Sequence, residues 1–255
     1  MQQEIIKGLN EMQTSAVTST SGETLVIAGA GSGKTAVLTR RCAYLIAMGA
    51  VPGSILSLTF TNKAAAEMRG RMGKLLISMG INLPPTPPWS NDYVSNPLFC
   101  TFHSLGVRLL REFGEKIDIK NTFNILDPDD LTKMLRGIIK ELNIDTKTLT
   151  PNFASHFISA CKQELLTPEF SSKLEKEYLP AFHTIYKKYW EACRQNNVID
   201  FDDLIFLPYL IIRDHQDARE ICQRRWKHIQ IDEFQDTNTA QFELIYLIYP
   251  NLKRA

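Results

Sequence analysis

The sequence lacks a charge bias, a paired-cysteine motif and a long apolar run, and each absence removes a class of protein. Lysine and arginine number 29 against 28 acidic residues, a net charge of +1. Bulk electrostatics therefore gives no attraction to nucleic acid or membrane, and any such surface must be a local patch. The five cysteines are Cys42, Cys100, Cys161, Cys193 and Cys222. Their number is odd and none form a C-x-x-C pair, which argues against a disulfide framework or zinc site and for reduced thiols. The longest apolar run, residues 204–212, is interrupted by Pro208 and falls short of the roughly 20 residues that a bilayer requires. The first residues, Met1-Gln2-Gln3-Glu4, carry no basic and apolar leader. The expectation is a cytoplasmic chain with no membrane association.

What is present is an ordinary globular composition, 44% hydrophobic and 22% charged over 255 residues, enough for one or two domains. Residues 4–19 read as a helix. Residues 24–28 form a short apolar run ended by glycines, as in a buried parallel strand. Helix is expected at 34–48, strand at 54–60 and helix at 62–79. Alternating strand and helix is the signature of an α/β layer. Residues 82–97 hold Pro84, Pro85, Pro87, Pro88 and Pro97 and read as a surface loop. A third strand is expected at 98–102. From 103 to 197 there is almost no strand signal, only helical periodicity with breaks at Asp127-Pro128, Thr150-Pro151 and Thr167-Pro168. Helix at 201–212, strand at 227–234 and helix at 241–248 follow.

The chemistry concentrates at residues 28–35, Ala28-Gly29-Ala30-Gly31-Ser32-Gly33-Lys34-Thr35. This is a G-x-x-x-x-G-K-T phosphate loop with alanine at its first position. Such a loop needs inward-facing backbone N–H groups and residues able to adopt positive φ, and three glycines within five residues supply that. The helix N-terminus that follows adds its dipole. Lys34 would reach the β- and γ-phosphates of ATP, and Thr35 would offer its hydroxyl to Mg²⁺. The complementary carboxylate closes the run Ile229-Gln230-Ile231-Asp232-Glu233. Asp232 would hold the metal, in part through water, and Glu233 would orient or deprotonate the attacking water.

Six motifs in order make the chain resemble the UvrD/Rep/PcrA-type superfamily 1 DNA helicases. Leu9-Asn10-x-x-Gln13-x-x-Ala16-Val17 is similar to the family's Q motif, and residues 28–35 match its motif I letter for letter. The run from Thr59 to Met68 resembles motif Ia, and Thr101-Phe102-His103-Ser104 resembles motif Ib. Asp200-Phe201-Asp202-Asp203-Leu204 and the run from Asp232 to Asn238 complete the series. The resemblance implies a P-loop NTPase, RecA-like parallel sheet from residues 1–106 and 198–255, with an inserted all-helical subdomain at 107–197. It implies that Gln13 reads adenine and that Phe60, Asn62, Thr101 and His103 lie along single-stranded DNA. It further implies ATP-driven 3′–5′ translocation with duplex unwinding, of the kind used in DNA repair. Stacking by Phe60 and His103, and polar contacts by Asn62 and Thr101, suit that role chemically.

Two departures stand out: Ala36 replaces the arginine usual after motif I, and loop 82–97 is long. Nothing resembles motif III or any later motif, so the expectation is the N-terminal part of a longer helicase whose second motor domain is its natural partner. By itself it should bind ATP and DNA weakly and turn over ATP slowly or not at all. Three alternatives stay open: a small-molecule kinase, a helicase–nuclease subunit, and a nucleotide-gated DNA-binding module that does not unwind.

Overall fold

The computed structural model describes residues 2–20, 22–29, 31–84, 95–144, 149–174 and 180–249. In chain order the elements are α1 (Gln2–Ile6), α2 (Glu11–Thr18), α3 (Lys34–Ala47), β1 (Ile55–Thr59), α4 (Asn62–Ser78), β2 (Leu98–Thr101), α5 (Phe102–Phe113) and β3 (Asn124–Ile125). There follow α6 (Pro128–Glu141), α7 (Pro151–Gln163), α8 (Pro180–Asn196), β4 (Val198–Ile199), α9 (Asp203–Asp214), α10 (Gln216–Arg225), β5 (His228–Ile231) and α11 (Thr239–Ile248). They form two compact units, one of Met1–Phe102, Glu220–Asp236 and Ile248–Ala255, the other of His103–Arg219 and Thr237–Leu247. The fold class is mixed α/β with a parallel sheet, as the alternating pattern predicts.

In the first unit a parallel sheet runs β2-β1-β5. The central strand pairs Leu56 with Leu98 on one side and with Ile229 on the other. All five residues of β1 are buried, which is why its sequence reads as a near-continuous apolar run rather than an alternating one. Parallel strands need a crossover, and α4 supplies it between β1 and β2. Thr61 caps α4 by accepting the Ala64 N–H at 3.1 Å. Cys42 and Leu45 of α3 pack with Met68 and Leu76 of α4 and with Phe99 of β2. Ile5, Val17 and Val37 join α1, α2 and α3 in a second apolar cluster.

In the second unit, α6, α7 and α8 share a core that includes Leu135, Ile139, Phe157, Ile185 and Tyr186. The breaks at Asp127-Pro128 and Thr150-Pro151 are helix starts. Asp127 and Thr150 are N-caps, and the prolines occupy the first turn, where a missing N–H costs nothing. Helix α9 contains Pro208, which cannot donate to the Leu204 carbonyl four residues back. Gly106 of α5 lies against that carbonyl: a Cβ built on Gly106 would sit 1.6 Å from the Leu204 oxygen.

The structure departs from the sequence expectations in several places, including α10 at Gln216–Arg225, where no element was expected. The helix expected at 4–19 is two helices, because Gly8 takes φ 76° and Asn10 restarts the chain with a capping box. The strand expected at 24–28 is not formed: Leu25, Val26 and Ile27 are 70%, 42% and 88% exposed. Its apolar run reports a preference for burial, but a strand also needs a neighbour for its backbone groups, and no ladder among the described residues includes it. The stretch expected to lack strands holds β3 and β4, a two-residue parallel pair (Asn124 with Val198, Ile125 with Ile199) too short for any periodicity to register. The remaining strands end earlier than expected, at Thr59, Thr101 and Ile231, leaving Phe60, Phe102 and Asp232 just beyond the ladders. Most of the expected proline-rich loop, 85–94, lies outside the described residues.

Candidate nucleotide site and nucleic-acid interface

The phosphate loop is shaped by its glycines. Gly33 is the N-cap of α3 with φ 86° and ψ 20°, a left-handed conformation, and no side chain caps the helix. Gly31 is also left-handed, at φ 74°. An L-residue would pay roughly 1–2 kcal/mol for such a backbone. The uncapped N–H groups of the first turn of α3, with the helix dipole behind them, form an anion-binding end. Ser32 Oγ donates to the Gly29 carbonyl at 2.7 Å, and Lys34 Nζ donates to the carbonyls of Ala28 and Gly29 at 3.0 and 3.1 Å. The loop's own oxygens thus hold the ammonium group where a phosphate oxygen could replace them. Ala30 lies outside the described residues.

Gln13 comes to this loop from α2. Its Nε2 donates to the Ser32 carbonyl at 3.0 Å. Its Oε1 accepts the Asn10 N–H at 3.0 Å, completing the capping box of α2.

Thr35, one residue into α3, donates its hydroxyl to Asp232 Oδ2 at 3.4 Å. The Asp232 N–H donates to the Leu58 carbonyl at 2.9 Å, extending the pairing of β5 with β1 by one residue and fixing where its carboxylate emerges. Asp232 is only 5% exposed. Burial, and secondarily the adjacent Glu233, raise its pKa, while the Thr35 hydroxyl opposes the rise. A hydroxyl and a carboxylate side by side are the hard oxygen donors that Mg²⁺ prefers, so these residues fit the ion. Glu233 has φ 51°, left-handed without being glycine. Its carboxylate accepts the Gln235 amide at 2.6 Å, and its carbonyl accepts the Asp236 N–H at 2.9 Å. Strain of this kind collects at functional positions.

The four residues expected along DNA are distributed as follows. Phe60 directly follows β1, is 37% exposed, and its ring centroid lies 5.9 Å from that of Phe102. Asn62 opens α4 and is exposed. Thr101 ends β2 opposite Thr59, and only 7% of it is exposed. These three belong to the first unit, at the carboxyl ends of parallel strands, where open α/β sheets bind ligands. His103 belongs to the second unit and stacks on Phe201, with centroids 3.9 Å apart and planes at 23°. Burial lowers the pKa of His103, with Asp202 opposing.

Phe201 is the residue that sequence reasoning did not single out. It is 59% exposed, although a large aromatic normally seeks cover. The available signal was its place between acidic neighbours in Asp200-Phe201-Asp202-Asp203. Lys162, missed as well, is 1% exposed, donates to Asp200 Oδ2 at 2.5 Å and lies 2.8 Å from Asp203 Oδ1. The second contact is an ion pair without hydrogen-bond alignment.

Comparison with known proteins matches residues 9–254 to the family described as UvrD/REP helicase N-terminal domain. The chain is 40% identical over 245 residues to the ATP-dependent DNA helicase PcrA of Bacillus subtilis (strain 168), covering 95% of this chain and 31% of that protein. It is 38% identical over 251 residues to the ATP-dependent DNA helicase PcrA of Staphylococcus epidermidis, covering 98% of this chain and 32% of the relative. The corresponding protein of Staphylococcus aureus (strain Mu50) is 37% identical over the same length. The chain therefore spans about a third of the length of the curated relatives it matches.

Proposed function

The chain belongs to the UvrD/REP helicase N-terminal domain family, and we propose that it is the ATP-binding part of an ATP-dependent DNA helicase that moves 3′–5′ along single-stranded DNA and unwinds duplex. The observation that carries this reading is the uncapped, glycine-opened start of α3 with Thr35 against Asp232. The N–H groups of Gly29, Gly31, Ser32, Gly33 and Lys34 would surround the phosphates of ATP. Lys34 exchanges its two loop carbonyls for the β- and γ-phosphate oxygens. Thr35 and Asp232 would hold Mg²⁺, which when bound neutralises charge that develops on the transferred phosphoryl group. Glu233 then orients the attacking water and takes its proton.

On the first unit, Phe60 would stack on a base of single-stranded DNA and Asn62 and Thr101 would meet it by hydrogen bonds; on the second, His103 and Phe201 would offer a stacking surface. Residues 107–197 serve as the helical insert. Groups that complete the phosphoryl-transfer site would come from a second motor domain in the longer protein, and arginines of that kind can be worth roughly 10³–10⁵ in rate. This chain alone then binds more readily than it hydrolyses. No helix among the described residues is long and apolar enough to cross a membrane; the setting proposed for the chain is the cytoplasm, on DNA.

The test is thermal unfolding with and without saturating Mg²⁺-ATP, beside Lys34→Ala. Ligand at 100 times Kd adds about 2.7 kcal/mol. For a domain of this size that is a rise of roughly 5–10 °C. The native chain should show the rise and Lys34→Ala should not. Equal behaviour of the two would reject the site. In the longer protein, hydrolysis that single strands fail to stimulate would instead favour a binding module without unwinding.

A further inference from the structure

Residues Asp200 to Asp203 form a turn that is closed on itself within the second unit. The Asp200 N–H donates to Asp203 Oδ2 at 3.1 Å, and the Asp203 N–H donates to Asp200 Oδ1 at 2.9 Å. Both carboxylates are thereby drawn to the inner side of the turn, and each residue is only 3% exposed. Two buried carboxylates so placed repel each other, and without a cation one would have to take up a proton. Lys162 of α7 supplies the cation: it donates to Asp200 Oδ2 and lies 2.8 Å from Asp203 Oδ1. The Tyr189 hydroxyl donates to the same Asp200 oxygen at 2.8 Å. Asp202 also turns toward α7, where Ser159 and Gln163 hydrogen-bond its carboxylate. Phe201 alone sends its side chain outward, to stack on His103 with centroids 3.9 Å apart.

Stability by itself does not call for such a cluster, since apolar residues of similar volume often hold a fold as well as buried ions do. Charge adds direction: the ammonium group keeps both carboxylates facing inward, and the reciprocal backbone bonds then leave the Phe201 ring only the outer side. We propose that Lys162 is a positioning residue for the stacking surface of His103 and Phe201, acting through Asp200 and Asp203 to hold the turn that presents Phe201. The use of that surface by DNA rests on the reading given above, in which single strands stack there.

The experiment compares the native chain with Lys162→Met, Asp203→Ala, Phe201→Ala and the double variant of Lys162→Met with Phe201→Ala. The first readout needs no ligand: the imidazole proton resonances of His103 at neutral pH, which the ring current of a stacked phenyl displaces. Phe201→Ala gives their unstacked position. Lys162→Met should carry the His103 signals most of the way to that position while those of His156, His183 and His228 stay native, whereas a general loss of structure would move them all. Asp203→Ala removes the acceptor for the Asp200 N–H but leaves Lys162 and Asp200 as a balanced pair. It should shift His103 in the same direction, and it decides the matter if Lys162→Met does not fold. Native His103 signals in either folded variant overturn the proposal. The second readout is fluorescence anisotropy of a labelled oligothymidylate. Lys162→Met should weaken binding about as much as Phe201→Ala, by roughly five- to 150-fold, and the double variant no more than Phe201→Ala alone. Losses that multiply in the double variant overturn the proposal in favour of a purely structural lysine. If Phe201→Ala binds as the native chain does, the DNA reading of this surface fails, while the His103 signals still decide whether Lys162 positions it.

Discussion

Thr35 and Asp232 stand 197 positions apart in sequence and 3.4 Å apart in space, the hydroxyl donating to the carboxylate. The contact joins the first turn of α3 to the end of β5, and everything the site could do with a metal ion depends on it. Removing either oxygen should cost the Mg²⁺-dependent part of ATP binding. A tenfold weakening is about 1.4 kcal/mol. Because the two act as one unit, Thr35→Ala combined with Asp232→Asn should cost little more than either alone. Thermal shifts by ATP, with Mg²⁺ and with EDTA, measure this.

Asp232 also sets a pH dependence for the ligand-free chain. Burial and Glu233 raise its pKa above the ordinary 3.8. A carboxyl that ionises later in the fold than in the unfolded chain favours the fold below 3.8, and that contribution is lost as pH rises through the raised value. At pH 7 the ionised group is a net cost. Asp232→Asn should therefore unfold at a higher temperature than the native chain at neutral pH without ligand, the gap closing near pH 4. A native chain that is the more stable at pH 7 would contradict this sign.

Glu233 carries a similar opposition between stability and chemistry. Its left-handed backbone, φ 51°, suits glycine better than glutamate. Glu233→Gly should raise stability by about 1 kcal/mol, the cost of holding an L-residue there. The same variant, and Glu233→Gln, should abolish hydrolysis in the longer protein while ATP still binds. Denaturant midpoints and single-turnover hydrolysis give the two readings separately.

How much of this was legible follows from what each signal reports. The phosphate loop was readable because its chemistry is local: glycines, lysine and threonine must be consecutive. Asp232 was readable because a carboxylate closing an apolar strand is also local. Its contact with Thr35 was inferred from the pairing of those two motifs, not from any pattern linking them. Residues 24–28 misled because apolar character predicts burial but cannot announce a strand partner. Lys162 was invisible because one lysine in α7 looks like the solvated side of a helix until Asp200 and Asp203 are brought to it. Phe201 was quoted within a motif, yet nothing in one sequence says which aromatic stays exposed.

The stack of His103 on Phe201 makes a prediction for DNA. Base stacking on an aromatic is worth about 1–3 kcal/mol. Phe201→Ala should weaken single-strand binding within that range and leave the unfolding temperature nearly unchanged, because the ring is 59% exposed. Burial keeps the His103 pKa below its ordinary value, so the imidazole is neutral at pH 7 and affinity should be flat from pH 7 to 8. Fluorescence anisotropy of a labelled oligonucleotide checks both.

The closest approach of α5 and α9 depends on one missing side chain. Pro208 leaves the Leu204 carbonyl without its helical donor, and Gly106 lets the α5 backbone close over it. With a Cβ at 1.6 Å from that oxygen, Gly106→Ala cannot be accommodated without moving one helix. A loss of about 3 kcal/mol is expected, the top of the range of roughly 1–3 kcal/mol typical of overpacking, because the clash is with backbone. Far-UV circular dichroism during urea unfolding would measure it, and a loss under 1 kcal/mol would mean that the two helices separate freely.

The cluster around Lys162 should respond asymmetrically to its three members. Its ammonium group faces Asp200 and Asp203, with the Tyr189 hydroxyl donating to Asp200 at 2.8 Å. Burial alone would lower the lysine pKa, but the two carboxylates outweigh it and keep the group charged. Lys162→Met leaves two buried carboxylates without a cation, a loss of about 3–5 kcal/mol. Asp203→Asn should cost far less, because Asp203 is the partner that ionises with difficulty. Burial and the neighbouring Asp200 push its pKa up to about 6, with Lys162 opposing. Asp200 moves the other way: burial works against it, but the charge and hydrogen bond of Lys162 hold it below the ordinary value. For Asp203 the raised pKa gives a stabilising contribution below 3.8 that is gone once pH passes about 6. Asp203→Asn removes that dependence, so its stability relative to the native chain should improve as pH rises from 4 to 7. Asp200→Asn removes a carboxylate whose folded pKa lies below 3.8, so it should lose ground below that interval, as pH rises from the lowered Asp200 value through 3.8, and stay nearly level from pH 4 to 7. A rise for Asp203→Asn between pH 4 and 6 with a nearly level Asp200→Asn, in urea unfolding at several pH values, would establish that Asp200 carries the charge; parallel slopes would mean that Lys162 treats them alike.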